Sequence, residues 1–172
     1  MAFFLLLPFF LVRFGLLSLF NKEAVRRAAH FAPLSEREKG AYWLYQLSNA
    51  VLLIAPFFLR VKSIPRWLFF TGAGVYLAGL ILLAAAVASF AAPAESGVSL
   101  GGLYRFSRNP MYVAYFVFFL GCVLLTRSPV LLAALLVFQA AAHWIILSEE
   151  RWCLQKFGGE YRRYMDRVGR YL

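Results

Sequence analysis

The 172-residue chain is 62% hydrophobic and only 15% charged, whereas soluble domains average roughly 45–50% and 25%, so its composition excludes an ordinary soluble domain. The formal net charge is +10, but the basic residues flank apolar runs. That pattern favours membrane orientation and anionic lipid headgroups over a nucleic acid partner. The two cysteines, Cys122 and Cys153, offer no disulfide framework, and no His/Cys cluster has zinc-ligand spacing, so no metal is expected.

Five uncharged or nearly uncharged runs follow one another along the chain, each at or near the roughly 20 residues that span a bilayer. They are Met1–Phe20, Ala41–Leu59, Trp67–Ala92, Pro110–Thr126 and Ser128–Ser148. No connecting segment is long enough to fold separately. The sequence therefore predicts an all-α, multi-pass helix bundle of about five spans in one membrane domain, 1–172, with N-terminal spans in 1–92 and the functional part in 93–172.

The first run has the length of a signal peptide but not its other features. It lacks a basic start, contains Pro8 and Arg13, and has no convincing cleavage site. We therefore predict a retained span. The charged loop after it, Asn21–Gly40, contains Pro33-Leu34-Ser35-Glu36, which is predicted to start a short surface helix.

The third run contains Gly72, Gly74 and Gly79, and small residues let membrane helices approach closely. A glycine-rich surface that admits a cofactor is the alternative. For the fifth helix, Ser128 is the predicted N-cap, with proline directly after it. That helix meets no breaker before Gly158, so it is long enough to project beyond the bilayer and carry residues 149–157 to the headgroup layer.

The tail, Glu160–Leu172, is amphipathic. Tyr161, Tyr164, Met165 and Val168 follow helical spacing, and arginines fill the other faces. The pattern predicts a C-terminal interfacial helix, with a lid over a functional site as the alternative.

Basic residues are distributed unevenly between the two sides of the predicted bundle. Thirteen belong to the first loop, the Arg105/Arg108 linker and the C-terminal segment from Arg151 onward, and four belong to the opposite loops. The positive-inside rule then predicts an outside N-terminus, a cytoplasmic C-terminus, and both polar clusters described below on the cytoplasmic face.

The first polar cluster is the stretch from Gly102 to Tyr112, between two apolar runs. Asn109 suits an N-cap and Pro110 a first helical turn, so a helix is predicted to begin there. Tyr104 and Tyr112 flank this corner and offer flat rings and hydroxyls on which an adenine would stack. The alternative is an aromatic belt at the headgroup level.

The second polar cluster, Glu149-Glu150-Arg151, closes the fifth run. Neighbouring helical residues point about 100° apart, so the two carboxylates cannot serve one point equally. Helical spacing places Gln139, His143 and Glu150 on one face, and polar groups at membrane depth usually face a bundle interior or cavity.

We expect Glu150 to bind a cofactor and Glu149 to be the structural ion-pair partner. The alternative for Glu150 is a salt bridge to Arg105, Arg108 or Arg151. The alternative for His143 is a hydrogen bond to a neighbouring helix.

These residues, in this order, resemble the membrane methyltransferases that include isoprenylcysteine carboxyl methyltransferase and phosphatidylethanolamine N-methyltransferase. The resemblance covers roughly Ser96–Tyr164, and the first half of the chain matches only in hydropathy. It is carried by Gly102-Leu103-Tyr104, Arg108-Asn109-Pro110-Met111-Tyr112, His143, Ile146, Glu149-Glu150, Leu154, Phe157-Gly158, Tyr161 and Tyr164.

The resemblance implies that S-adenosyl-L-methionine binds at the cytosolic ends of the last spans. It also implies a lipid-like or hydrophobic small-molecule acceptor that enters laterally from the bilayer, among the membrane lipids. No protein partner is evident. The cofactor-binding residues it implies are Tyr104, Asn109, Pro110, Met111, Tyr112 and Glu150, with Ser96, Gly97, Val98 and Ser99 of the preceding linker. Candidate catalytic residues are Arg108, Asn109 and His143, although methyl transfer needs no protein nucleophile.

The chain departs from the isoprenylcysteine branch at two positions. Asn109 stands where that branch has His, and Ile146 stands where it has an Arg that holds the substrate carboxylate. An Ile cannot pair with a carboxylate, so we expect an amine, thiol or hydroxyl acceptor.

Two other functions stay open at this point. One is an NADPH-dependent, sterol-reductase-like membrane enzyme with a similar corner, and the other is a non-enzymatic membrane bundle. The acidic pair favours a cationic cofactor over a phosphate-rich one.

Overall fold

The structure is a computed structural model that describes residues 1–20, 32–92 and 98–171. Within these ranges the chain forms five helices. Helix α1 comprises a 3-10 turn, Ala2–Leu5, an α-helix, Leu6–Phe10, a π-helical stretch, Leu11–Leu16, and a final α-helical turn, Leu17–Phe20. The others are α2, Lys39–Ile54, α3, Arg66–Ala91, α4, Pro110–Thr126, and α5, Pro129–Met165.

The prediction of an all-helical chain rich in apolar helices is confirmed. By length and composition, α3 and α5 are each able to cross a membrane, and Ala2–Leu16 and α4 are shorter apolar helices. The second run forms the 16-residue α2 and then a 3-10 turn, Ala55–Phe57. The count of about five spans stays a prediction.

Local sequence explains where three helices begin. The Ser128 hydroxyl accepts a hydrogen bond from the Leu131 amide at 3.3 Å, so Ser128 caps α5 as predicted. Ser35 and Glu38 form a capping box ahead of α2, in the loop where a helix start was predicted. Helix α4 begins directly after Asn109, but the Asn109 side chain makes no capping hydrogen bond.

Helices α3 and α4 pack closely through glycines. An added Cβ at Gly79 would overlap the backbone of Phe118, and one at Gly121 would overlap the facing backbone of α3. Gly72 also lies against α4, whereas Gly74 has nothing within 4 Å. Close helix approach is therefore confirmed at Gly79 and Gly72 but not at Gly74.

Aromatic side chains fill the core between the helices. Phe118 of α4 is fully buried between Phe9 of α1 and Tyr76 of α3. Phe138 of α5 stacks on Tyr45 of α2 with ring centroids 5.1 Å apart. The start of α2, the start of α4 and the end of the apolar part of α5 meet at one end of the bundle, where Arg151 binds Glu38 and Tyr112 binds Glu149. We call this the polar end.

The chain changes direction near its C-terminus. Gly158 has φ 55 and ψ −126, which kinks α5, and such a conformation is easily adopted by glycine. Beyond the kink, Tyr161 and Tyr164 are buried against Val98 of the linker, with Met165 packed beside them. The apolar face that predicted an interfacial helix therefore packs against Val98, and a lid over a functional site stays a prediction.

Candidate functional site

Glu150 lies at the centre of the polar end and is only 4% exposed. Arg170 donates to its carboxylate from Nη2 at 2.8 Å and from Nε at 3.1 Å. Arg108 Nη2 lies 3.3 Å from Oε1 of the same carboxylate. The hydrogen bonds to Glu150 raise the pKa of Arg170 above its ordinary value. Glu150 is thus a buried anion compensated by two guanidinium groups.

Glu149, the next residue along α5, has a different environment. It accepts a hydrogen bond from the Tyr112 hydroxyl at 3.1 Å, and no salt bridge reaches it from the part of the chain that the structure describes. It follows the end of the apolar run at Ser148 and so lies outside the membrane-spanning part of α5. Burial raises the pKa of Glu149 to about 7, against the lowering effect of the Tyr112 hydrogen bond.

The prediction that Glu149 is the ion-pair partner is therefore wrong, because the ion pairs belong to Glu150. Because adjacent helical residues point in different directions, Glu150 faces Arg108, which was one of the predicted alternatives, and Glu149 faces α4. Arg151 pairs instead with Glu38 ahead of α2, at 2.6 Å.

The last part of the chain, residues 166–171, returns over the polar end, and we call this segment the strap. The Arg108 amide donates to the Gly169 carbonyl at 3.0 Å. The Asn109 side-chain amide donates to the Arg170 carbonyl at 3.1 Å. Asn109 is the N-cap residue of α4 by position, as predicted, but its side chain binds the Arg170 carbonyl of the strap and makes no capping hydrogen bond.

The strap also contacts the face of α5 that carries His143 and Glu150. His143 Nδ1 lies 2.9 Å from the Tyr171 hydroxyl, and the preceding strap residue, Arg170, binds Glu150. His143 and Glu150 therefore do share a face, as the spacing predicted. The hydrogen-bond partner of His143 is the strap and not a neighbouring helix.

Tyr104 lies in the 3-10 turn Gly102–Arg105 of the corner. Its carbonyl accepts a hydrogen bond from the Tyr164 hydroxyl at 2.6 Å, and its ring lies 6.4 Å from that of Phe90. Gly102 has a φ of 56, and an added Cβ there would collide with the Ser89 hydroxyl, so the turn depends on this glycine.

The other predicted cofactor-binding residues are spread around the corner. Pro110 is buried, and Met111 and Tyr112 are half-buried in the first turn of α4. Val98 is buried, and Ser99 donates to the Phe90 carbonyl at 3.2 Å. Ser96 and Gly97 lie outside the described residues.

A buried polar atom at the polar end, Arg108 Nε, has no hydrogen-bond partner among the described residues. The same holds for Gln139 Oε1, which lies eleven residues before Glu150 on α5. An unpaired guanidinium N–H suits a carboxylate oxygen. In the same ranges of the chain, no group of three His, Cys, Asp or Glu side chains could hold a metal ion.

A cavity of about 380 Å³ lies within the bundle, between α1, α2, α4 and α5. Arg13, Gln46 and Asn49 give it polar groups, and Tyr115 lines it on the α4 side. In the sequence, Arg13 served only as evidence against a signal peptide. A lone cation inside an apolar run is the signal that could have indicated a site there.

The remaining residues that the sequence analysis did not connect with the site are Arg170 and Tyr171. Both lie in the strap, and their partners, Glu150 and His143, are distant along the chain. The basic, amphipathic pattern of the tail gave no indication of which arginine would meet a carboxylate.

A comparison with known protein families follows the same part of the chain. A family model described as phospholipid methyltransferase matches residues 67–160. The match extends from the start of α3 to just beyond the kink of α5, so it begins upstream of the resemblance found in the sequence and includes the corner and the Glu pair. No curated protein and no solved structure matches the chain.

Proposed function

Because the matched residues form more than half of the chain, the protein belongs to the phospholipid methyltransferase family, and we propose that it transfers a methyl group from S-adenosyl-L-methionine to a lipid-like or hydrophobic acceptor. Family membership makes it a methyltransferase with membrane helices. It also favours this activity over a sterol-reductase-like or non-enzymatic role. The observation that carries the choice of cofactor is the Glu149 carboxylate, which has a tyrosine partner and, among the described residues, no cation in a salt bridge with it.

S-adenosyl-L-methionine carries a sulfonium, an ammonium and a carboxylate, so its site needs an anion and a cationic donor. Glu149 supplies an anion, and the buried, unpartnered Nε of Arg108 supplies a donor for a carboxylate. The residues at the polar end therefore fit this molecule. The phosphates of NADPH would meet the Glu149 carboxylate, which forms no salt bridge with the described residues, and that arrangement is unfavourable.

The proposed cofactor surface consists of the residues that the resemblance implied, Tyr104, Asn109, Pro110, Met111 and Tyr112, with linker residues 96–99. We assign the contact with the cofactor's positive charge to Glu149. Glu150 could take that role only if Arg170 left its carboxylate.

When bound, the cofactor supplies a methyl group that the lone pair of the acceptor attacks in line, while the electrons of the carbon–sulfur bond stay on sulfur. The chain's contribution is to hold the reacting groups in alignment. Arg108, Asn109 and His143 act in this proposal as positioning residues, because each holds the strap or the acidic pair. The strap excludes water from the polar end, which strengthens the charge contacts there.

Calorimetric titration of the detergent-purified protein tests the proposed function. We expect binding of S-adenosyl-L-methionine, competition by S-adenosylhomocysteine, and no heat from NADPH. Binding of NADPH in place of S-adenosyl-L-methionine would overturn the proposal.

A tritiated-methyl assay on the same purified protein then identifies the acceptor class. Ile146 is fully buried, and by the resemblance it stands where the isoprenylcysteine branch has an Arg that holds the substrate carboxylate. We therefore expect transfer to phosphatidylethanolamine or to small hydrophobic amines and thiols, and no efficient transfer to a prenylcysteine analogue. Robust turnover of the prenylcysteine would contradict the acceptor assignment.

We also propose that the polar end faces the cytoplasm, with the N-terminus outside. Thirteen basic residues on the side of the polar end, against four on the other, support this orientation. A reporter fused after the last residue is expected to be active only in its cytoplasmic form. An exported C-terminal reporter would contradict the orientation.

A further inference from the structure

Arg13 is the one basic residue that interrupts an apolar run of this sequence. It lies in the π-helical stretch Leu11–Leu16 of α1, and its side chain lines the cavity of about 380 Å³. Its Nη1 atom is buried and finds no hydrogen-bond partner in the ranges that the structure describes, although the guanidinium lies beside the Tyr115 hydroxyl and its Cζ is 5.8 Å from the centre of the Phe14 ring. Within those ranges no carboxylate forms a salt bridge with it.

A half-buried guanidinium inside an apolar run is costly unless something pairs with it, because its apolar surroundings solvate the charge poorly. Ionisable residues at membrane depth are accordingly kept for function and take a partner. The planar guanidinium fork matches phosphate oxygens particularly well, since two N–H groups donate in parallel. The unpaired Nη1 of Arg13 therefore indicates an anionic ligand.

The rest of the cavity wall describes the other part of that ligand. Gln46 and Asn49 lie on the α2 side, and aromatic rings, among them Phe14 and Phe119, form much of the remainder. Ligand cavities usually measure roughly 300–1,000 Å³, so this cavity has room for a polar headgroup and the beginning of an apolar tail.

The cavity lies beside the polar end. Tyr115 lines it and packs edge-on against Tyr112, with ring centroids 6.1 Å apart. Tyr112 in turn donates to Glu149. The first turns of α4 thus connect the cavity wall with the proposed cofactor site.

We propose that the cavity around Arg13 is the acceptor subsite, and that Arg13 binds the phosphate of an amphiphile whose nucleophilic group reaches the polar end. The inference rests on the proposed function and adds a specificity-determining residue to it. Arg13 anchors the acceptor through a group that is not methylated. The nucleophile, attached by a short linker, then lies on the side of Tyr112 and Glu149.

Binding of short-chain lipids to the detergent-purified protein tests this subsite, measured by native mass spectrometry without any need for turnover. The probes are dihexanoyl phosphatidylethanolamine, dihexanoylglycerol and inorganic phosphate. We expect the phospholipid to bind the unchanged protein and the other two to bind weakly or not at all. Arg13→Met should weaken phospholipid binding at least tenfold, and Arg13→Lys should weaken it less.

Arg127→Met is the matched control, because Arg127 also has a buried, unpartnered guanidinium nitrogen but lines no part of this cavity. It should bind the phospholipid as the unchanged protein does. In the methyl-transfer assay, Arg13→Met should raise KM for the phospholipid and leave KM for S-adenosyl-L-methionine unchanged.

Three results would overturn the subsite. They are unchanged phospholipid binding by Arg13→Met, equal binding of dihexanoylglycerol, and full competition by inorganic phosphate, which would indicate an anion site without a lipid requirement. If Arg13→Met does not fold, unchanged binding by Arg13→Lys together with equal binding of dihexanoylglycerol would also overturn it. Failure of S-adenosyl-L-methionine to bind the unchanged protein would count against the proposed function instead.

Discussion

Glu150→Gln is expected to lower the thermal unfolding midpoint of the detergent-purified protein by roughly 6–12 °C. The substitution removes the anion that compensates Arg108 and Arg170, and the Arg108 side chain is only 8% exposed. Leaving a buried charge without its partner typically costs about 3 kcal/mol or more, and each kcal/mol shifts the midpoint by roughly 2–4 °C in a chain of this size. Differential scanning fluorimetry in one detergent checks the value.

Glu36→Gln is the matched control for this substitution. Glu36 also has a basic partner, Lys39 at 2.6 Å, but its side chain is 85% exposed. Solvent screens such a pair, so its loss should leave the midpoint nearly unchanged. The double variant Glu150→Gln with Arg108→Gln should be more stable than Glu150→Gln alone, because it removes the uncompensated charge. Equal midpoints for Glu150→Gln and Glu36→Gln would contradict the buried ion pair.

The sequence predicted those features of the fold that depend on local chemistry. The starts of α4 and α5 follow from Pro110 and from Ser128 with its following proline, because proline suits a first helical turn and serine accepts from a free backbone amide. The close packing of α3 on α4 follows from Gly79. These signals lie within a few residues of the feature they predict.

The C-terminal end of α2 was predicted inaccurately from the sequence. An apolar run to Leu59 predicted a longer span, but the α-helix ends at Ile54 and Pro56 occupies a 3-10 turn. Proline disfavours α-helical backbone in the residue before it and provides no N–H for the helix. The hydrophobicity of the run alone does not show that the α-helix must end before the proline.

The partners within the candidate site were not predictable, because they depend on how the tail folds back. Gly158 was recognised as a helix breaker, but its kink angle decides that Arg170 reaches Glu150 and that Tyr171 reaches His143. The sequence offers many arginines near the headgroup layer, and nothing in their spacing distinguishes Arg170. The two glutamates were consequently assigned the wrong structural roles.

Glu149→Gln is expected to weaken binding of S-adenosyl-L-methionine by roughly 1.5–3 kcal/mol, the usual contribution of a hydrogen bond to a charged group, or roughly 10- to 150-fold in Kd. Its unfolding midpoint should be little changed, because a neutral amide can still accept from Tyr112 and burial disfavours the charged carboxylate. Calorimetry with the unchanged protein as reference measures the loss.

The pH dependence of binding gives the same assignment a second readout. The pKa of Glu149 is raised to about 7 by burial, so the carboxylate is mostly protonated below that pH and charged above it. The charged form attracts a cationic ligand, and affinity should therefore rise as pH increases from about 6 to about 8. In Glu149→Gln this rise should disappear. Burial also means that the folded state gains stability from this group as pH falls through its pKa.

Arg170→Met separates the two possible assignments of the acidic pair. If the cofactor's positive charge contacts Glu150, it must displace Arg170, so removing that guanidinium should strengthen binding while Glu149→Gln leaves it unchanged. If Glu149 makes the contact, Glu149→Gln should weaken binding, and Arg170→Met should not strengthen it, because the strap that excludes water loses its hold on Glu150. Arg167→Met, at an exposed strap position, is the control for loss of positive charge alone. We expect the second pattern, and tighter binding by Arg170→Met would contradict the Glu149 assignment.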